Sequence, residues 1–190
     1  MTIIPFVDSL GLNEQELSFL SRVGGGPYAD QPASAGTMHV YKAVEILDWL
    51  LNNYGRDTSN PDSKRVSYRL QRIHFHCLTF HMIVTKGPDW SNSASAVAAG
   101  ALLAPRQACG FSDVAGVSEI RTGDNFLIDK EQGRLYRFNP SNPLNSWMRQ
   151  DALFIFSPVL VCKQPVRTVG LGDAISATGL AYSQFYRFEK

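Results

Sequence analysis

Apolar residues recur along this chain with two periods, and the alternation between them predicts the order of its elements. Val40, Val44, Leu47, Leu50, Leu51 and Tyr54 fall at helical spacing with Lys42, Glu45 and Asp48 between them. An amphipathic helix is therefore expected over 39–54, closed by Gly55 as a C′ residue. Leu17, Phe19 and Leu20 after Asn13 predict an earlier helix, and the alanine-rich stretch 93–104 predicts a later one. That later helix takes Ser91 or Asn92 as its N-cap and has Pro105 just past its end. Apolar runs at 3–7, at 73–78 and at 153–156 continuing through 158–162 read as strands, with shorter strands at 117–120, 125–128 and 134–138. Segments 24–36, 56–69 and 139–143 carry Gly, Pro, Ser or mixed charge and read as loops. Strands alternating with helices predict an α/β three-layer sandwich with a largely parallel sheet, whose ligands lie at the carboxyl ends of the strands.

Composition narrows the class. At 190 residues the chain can bury one sizeable core. A net charge of +1 gives no basis for binding nucleic acid or an anionic membrane. No apolar run approaches the roughly 18 residues of a membrane span. Residues 1–5 lack the basic and apolar regions of a signal peptide. The three cysteines, Cys77, Cys109 and Cys162, form no CxxC pair, so free buried thiols are the default.

Few residues suggest chemistry. His74 and His76 sit two apart on an expected strand and share a face. Two such imidazoles can begin a zinc site, but no further ligands follow at a set spacing, and His81 with Cys77 would need an irregular turn. Gly24-Gly25-Gly26 runs into Pro27 without a following GK[ST], so it reads as flexible loop rather than as a phosphate cradle. Trp147 and Met148 read as packing residues, and Arg149 beside them has no readable role.

Two segments read both as helix caps and as ligand sites. Thr168-Val169-Gly170-Leu171-Gly172-Asp173 joins a buried strand to a helix built of small residues. A glycine-rich turn there lets backbone approach a ligand and presents N–H groups to an anion at the positive end of the helix dipole. Asp173 could take a hydroxyl proton as phosphate is transferred, or could be a simple N-cap. Asn13 with Glu16 three residues on is a capping box by spacing alone, with Glu14 better read as exposed.

The residues from Val161 to Ser176, above all Thr168 to Asp173, resemble the end of the ADP-dependent glucokinases, the animal type in particular. These are ribokinase-like sugar kinases, and residues 8–17 are also similar to their NxxE segment. The resemblance implies a ribokinase-like fold and the C-terminal part of the large nucleotide-binding domain over 1–190, with the lid domain absent. It implies phosphorylation of glucose at its C6 hydroxyl by ADP, giving glucose 6-phosphate and AMP. Asp173 would be the catalytic base, and Gly170, Leu171 and Gly172 the anion hole. Magnesium would be supported by Glu16 and Asp173 with Asn13 assisting, since one or two carboxylates suffice for that ion. Glucose and ADP or AMP are the implied partners. One of His74 and His76 would approach the adenine, and residues 163–167 would wall it. Cys109 and Cys162 match positions where animal members also carry cysteine, which makes a bridge the alternative to free thiols. Animal members reach the endoplasmic reticulum through an N-terminal signal that is not seen here, so the sequence as written reads as cytosolic. A sheet lacking its first strands would expose an edge, so self-association is expected.

Overall fold

The computed structural model describes residues 3–31, 38–57, 68–110, 118–121 and 125–185. A 3₁₀ turn, Ile4–Phe6, precedes β1 (Ser9–Asn13), α1 (Glu14–Gly24), α2 (Val40–Tyr54), β2 (Arg72–His76), β3 (Phe80–Lys86) and β4 (Trp90–Ser91). Next come α3 (Ser93–Ala108), β5 (Ser118–Ile120), β6 (Asn125–Asp129), β7 (Arg134–Arg137), β8 (Asn145–Arg149) and β9 (Ala152–Pro158). The chain closes with β10 (Leu160–Cys162), α4 (Leu171–Tyr182) and β11 (Gln184–Phe185). The central sheet has the order β1-β2-β3-β9-β8, with α1 and α2 on one side and α3 and α4 on the other, so the three-layer α/β architecture holds.

The sheet is mixed rather than largely parallel. Only β1 and β2 run parallel; β2/β3, β3/β9 and β9/β8 are antiparallel. Two hairpins account for this. β2 turns into β3 through Cys77-Leu78-Thr79, and β8 into β9 through Gln150, which takes a left-handed φ of 53°. Neither turn carries the Asn-Gly or Gly-Pro chemistry that marks a hairpin in sequence. The strand expected at 3–7 is instead the 3₁₀ turn, because Pro5 fixes φ in the helical range and donates no ladder hydrogen bond.

The period of two along each strand separates two unlike faces. On the α2 side, Phe75, Met82, Val84, Phe154 and Phe156 pack under Val44, Leu47, Leu50 and Leu51. Each fully buried Leu or Phe contributes roughly 1.5–3 kcal/mol, so most of the stability resides here. Trp147 extends this face by stacking on Phe154 at 5.6 Å between ring centroids, as expected of a packing residue, whereas Met148 on the other face is exposed. Arg149 acquires a role: its Nε lies 3.2 Å from the buried Asp48 carboxylate of α2. Burial pushes that carboxyl up, and Arg149 pulls it back down.

The α3/α4 side is polar where it should be greasy. Arg72, His74, His81, Thr85 and Ser157 are buried there. Small residues make the room: a side chain at Gly179 would overlap the His74 ring, and one at Gly100 would lie 3.3 Å from His81 Nδ1. Pro105 does not end α3, which runs one turn further to Ala108 and then delivers Cys109 to Cys162. Gly55 closes α2 with a right-handed φ of −81°, and its lack of a side chain is required by the Leu51 carbonyl, 2.5 Å from where a Cβ would stand.

Candidate functional site

The parallel pair sets the site. Its register places Asn13, the last residue of β1, beside His76, the last of β2. The first turn of α4 lies over both ends: a side chain at Gly172 would stand 3.0 Å from His76 Cε1, and one at Gly11 would stand 3.0 Å from Ser176 Oγ. Three segments far apart in sequence thus meet at the carboxyl ends of two strands, where an α/β fold binds ligands.

Asn13 caps α1, its side chain accepting from the Gln15 and Glu16 amides at 2.9 Å, while Glu16 Oε2 accepts from the Asn13 amide at 2.8 Å. The capping box is therefore real, and one Glu16 oxygen remains outside it. Glu16 is exposed and Glu14 half-buried, the reverse of the expectation for Glu14, because α1 turns its Glu14 edge towards Cys77. Asp173 is not an N-cap. Gly170 holds that position at a φ of 75°, no side chain caps the helix, and Asp173 stands exposed in its first turn. The Leu171 amide is directed to the Thr168 carbonyl at a long 3.4 Å. The two glycines of the motif are thus needed for different reasons: Gly170 for its left-handed backbone and Gly172 for the imidazole beneath it. His76 is half-buried, and burial lowers its pKa while the Glu16 and Asp173 carboxylates pull it up. Both carboxylates therefore act on one point.

Beside this turn lies a cleft of about 210 Å³ lined by Cys77, His81, Pro105, Val161, Lys163 and Leu171 among others. Cys109 and Cys162 are bridged beneath it, with Cα atoms 5.8 Å apart, so the free-thiol default holds only for Cys77. Lys163 and Pro165 of the expected adenine wall line the cleft. The imidazole bordering it is His81, whose ring is itself fully buried, and not His74 or His76. The sequence offers His81 only as a partner of Cys77 in a zinc site, because β3 is not legible there; its register opposite His76 on β2 is what brings it to this face.

The description "ADP-specific Phosphofructokinase/Glucokinase conserved region" matches residues 1–182. The chain belongs to this family. It is 54% identical to a probable ADP-dependent glucokinase of Caenorhabditis elegans over 99% of its own length and 38% of that protein. It is 43% identical to the ADP-dependent glucokinase of Bos taurus, of which it spans 36%. A phosphofructokinase from Pyrococcus horikoshii solved with AMP shares the fold at a TM-score of 0.60 and 21% identity, with 95% of this chain and 38% of that one covered. The chain thus spans a little over a third of the length of the kinases it matches.

Magnesium is implied by the family but has to fit these residues. Among the described residues no cluster of three or more His, Cys, Asp or Glu is arranged to hold a metal ion. Glu16 and Asp173 are exposed carboxylates that both act on His76, and an ion that keeps waters and phosphate oxygens in its shell would need no more than one or two such groups.

The buried rings predict acid sensitivity. Burial holds His81 down at about 3 and His74 well below the ordinary imidazole range, with neighbouring imidazoles adding to both shifts and Arg72 to that of His74. The unfolded chain protonates these rings near pH 6.5. Below that pH the unfolded state binds more protons, so stability is complete above about pH 6.5 and falls as pH drops, by up to about 1.4 kcal/mol per pH unit per ring. Urea midpoints measured from neutral pH downwards should decline, and His81→Gln should flatten the slope. A midpoint independent of pH in this window would contradict the buried neutral assignment.

Proposed function

We propose that this chain is the nucleotide-binding part of an ADP-dependent glucokinase, transferring phosphate from ADP to the C6 hydroxyl of glucose to give glucose 6-phosphate and AMP. The observation that supports it is that the Gly170–Asp173 turn rests on His76, the register partner of the Asn13 that anchors Glu16, next to a cleft walled by Lys163 and Leu171. Asp173 accepts the sugar hydroxyl proton. The amides of Gly170, Leu171 and Gly172 neutralise charge on the phosphoryl oxygens at the positive end of α4. Glu16 and Asp173 would hold magnesium, which when bound neutralises nucleotide charge. The cleft takes the adenosine, with His81 and the residues after Cys162 as its walls.

One observation favours a second reading, a non-catalytic nucleotide-binding fragment. Asp173 and Glu16 stand in solvent, and phosphoryl transfer needs water excluded from the reacting groups. In this reading the lid domain, most sugar contacts and a further magnesium carboxylate lie outside the chain. A third reading, an ADP-dependent kinase for another sugar, is kept open by the same missing contacts. Glucose-dependent AMP release from ADP and magnesium decides between them: turnover supports the kinase, fructose 6-phosphate turnover the third reading. Calorimetric ADP binding without turnover supports the fragment. Among the described residues the β1 edge pairs with no strand on its outer side, and a groove of about 400 Å³ beside it is lined by Leu10, Leu12, Phe19 and Leu20, with Ile3 and Phe6 exposed nearby. Self-association through this face follows, read as a concentration-dependent elution volume.

A further inference from the structure

We infer that His76 is a positioning residue for the phosphate-binding turn, acting through Gly172 to fix the Gly170–Asp173 backbone relative to Glu16. This rests on the nucleotide-kinase reading above. Three observations carry it. First, the His76 ring fills the place a side chain would take at Gly172, with Cε1 at 3.0 Å and Nε2 at 3.6 Å from that point, so the turn rests directly on the imidazole. Second, His76 ends β2 in register with Asn13, the residue whose amide holds the Glu16 carboxylate, so the ring beneath the turn stands on the strand end paired with the Glu16 anchor. Third, His76 is itself braced. His74 and His81 stand edge-on to it with ring centroids at 6.3 and 6.0 Å, and both are fully enclosed with their ring nitrogens unpartnered. Leaving those groups unpaired costs about 1–3 kcal/mol each, a cost that aliphatic residues on the same strands would avoid. A polar and costly bracket under a ligand turn is expected where a site, not stability, dictates the residues.

The experiment is a calorimetric comparison of ADP and adenosine binding to the 190-residue chain and to His76→Ala, His76→Asn and Gly172→Ala, with circular dichroism confirming folding. His76→Ala should weaken ADP by about tenfold or more while leaving adenosine unchanged, because only the phosphates sit on the turn. His76→Asn, which keeps polarity and part of the bulk, should recover much of the loss. Gly172→Ala should weaken ADP in the native background and do so less when His76 is already Ala, since the clash is then relieved. Equal losses for ADP and adenosine, or additive effects in the double variant, would overturn the positioning role. Failure of the unaltered chain to bind either ligand would overturn the nucleotide reading itself, and this inference with it.

Discussion

Asp173→Asn is expected to lower glucose phosphorylation by about two to four orders of magnitude, the usual contribution of a positioned general base. The suitable protein is a chimera in which residues 1–182 replace the matching part of the Caenorhabditis elegans relative, since the chain spans only 38% of that kinase. The substitution keeps size and hydrogen-bonding reach but replaces the basic carboxylate with an amide too weakly basic to take the proton. Its structural cost is small. Asp173 is exposed in the first turn of α4, and losing one favourable charge at a helix N-terminus costs about 0.3–1 kcal/mol. The lost catalysis corresponds to roughly 3–5 kcal/mol of barrier, so the two effects separate cleanly. Initial rates should collapse, the thermal midpoint should move by a few degrees at most, and AMP affinity should change little. A chimera with near-normal turnover would show that Asp173 is only a charge at the end of a helix.

Legibility varied with how far each feature is written locally. α2 was readable because its apolar stripe and its polar residues alternate within one helix, and the observed bounds, Val40–Tyr54, match the pattern. The segments around Asp173 and Glu16 stood out because each is a short motif with local spacing, although only Asn13 and Glu16 form a cap. β3 and β8 were not readable. Their hairpin turns use ordinary residues, and β3 is buried on both faces, which erases the period of two. Because β3 was illegible, so was the placement of His81, the one imidazole among the described residues that borders the cleft. Pro105 was misjudged for the opposite reason. A local rule says that helices stop at proline, but Ala108 and the Cys109–Cys162 bridge hold the extra turn from outside. The pairing of Arg149 with Asp48 spans 101 residues and leaves no trace in sequence. What the chain writes locally is the helix pattern and the ligand turn; what tertiary contacts decide is the polar bracket that supports that turn.

Breaking the Cys109–Cys162 bridge should have the other large effect, and it should weaken both the fold and the cleft. The bridge closes a span of 53 residues, for which the chain-entropy relation gives about 4 kcal/mol of stabilisation as an upper figure. That is a large part of the 5–15 kcal/mol total typical of a domain. The local argument points the same way. Pro105 removes a helical hydrogen bond and strains the last turn of α3, at a cost of about 3 kcal/mol in a helix interior, and the bridge one residue past the helix offsets it. Ala108 in that turn accepts the Val166 amide at 2.8 Å, which anchors the segment running from the cleft wall to Gly170. With the bridge reduced, the final turn of α3 should fray, and the anchor at Val166 should loosen with it. Cys162→Ser, or reductant on the unaltered chain, should therefore shift the urea midpoint strongly downwards and weaken ADP binding in parallel. If stability fell but ADP affinity held, the bridge would be a fold staple alone; if neither moved, the anchor through Ala108 would not depend on it. Parallel losses are expected because the Val166 amide bonds to Ala108, so one backbone carries both the bridged turn and the approach to Gly170.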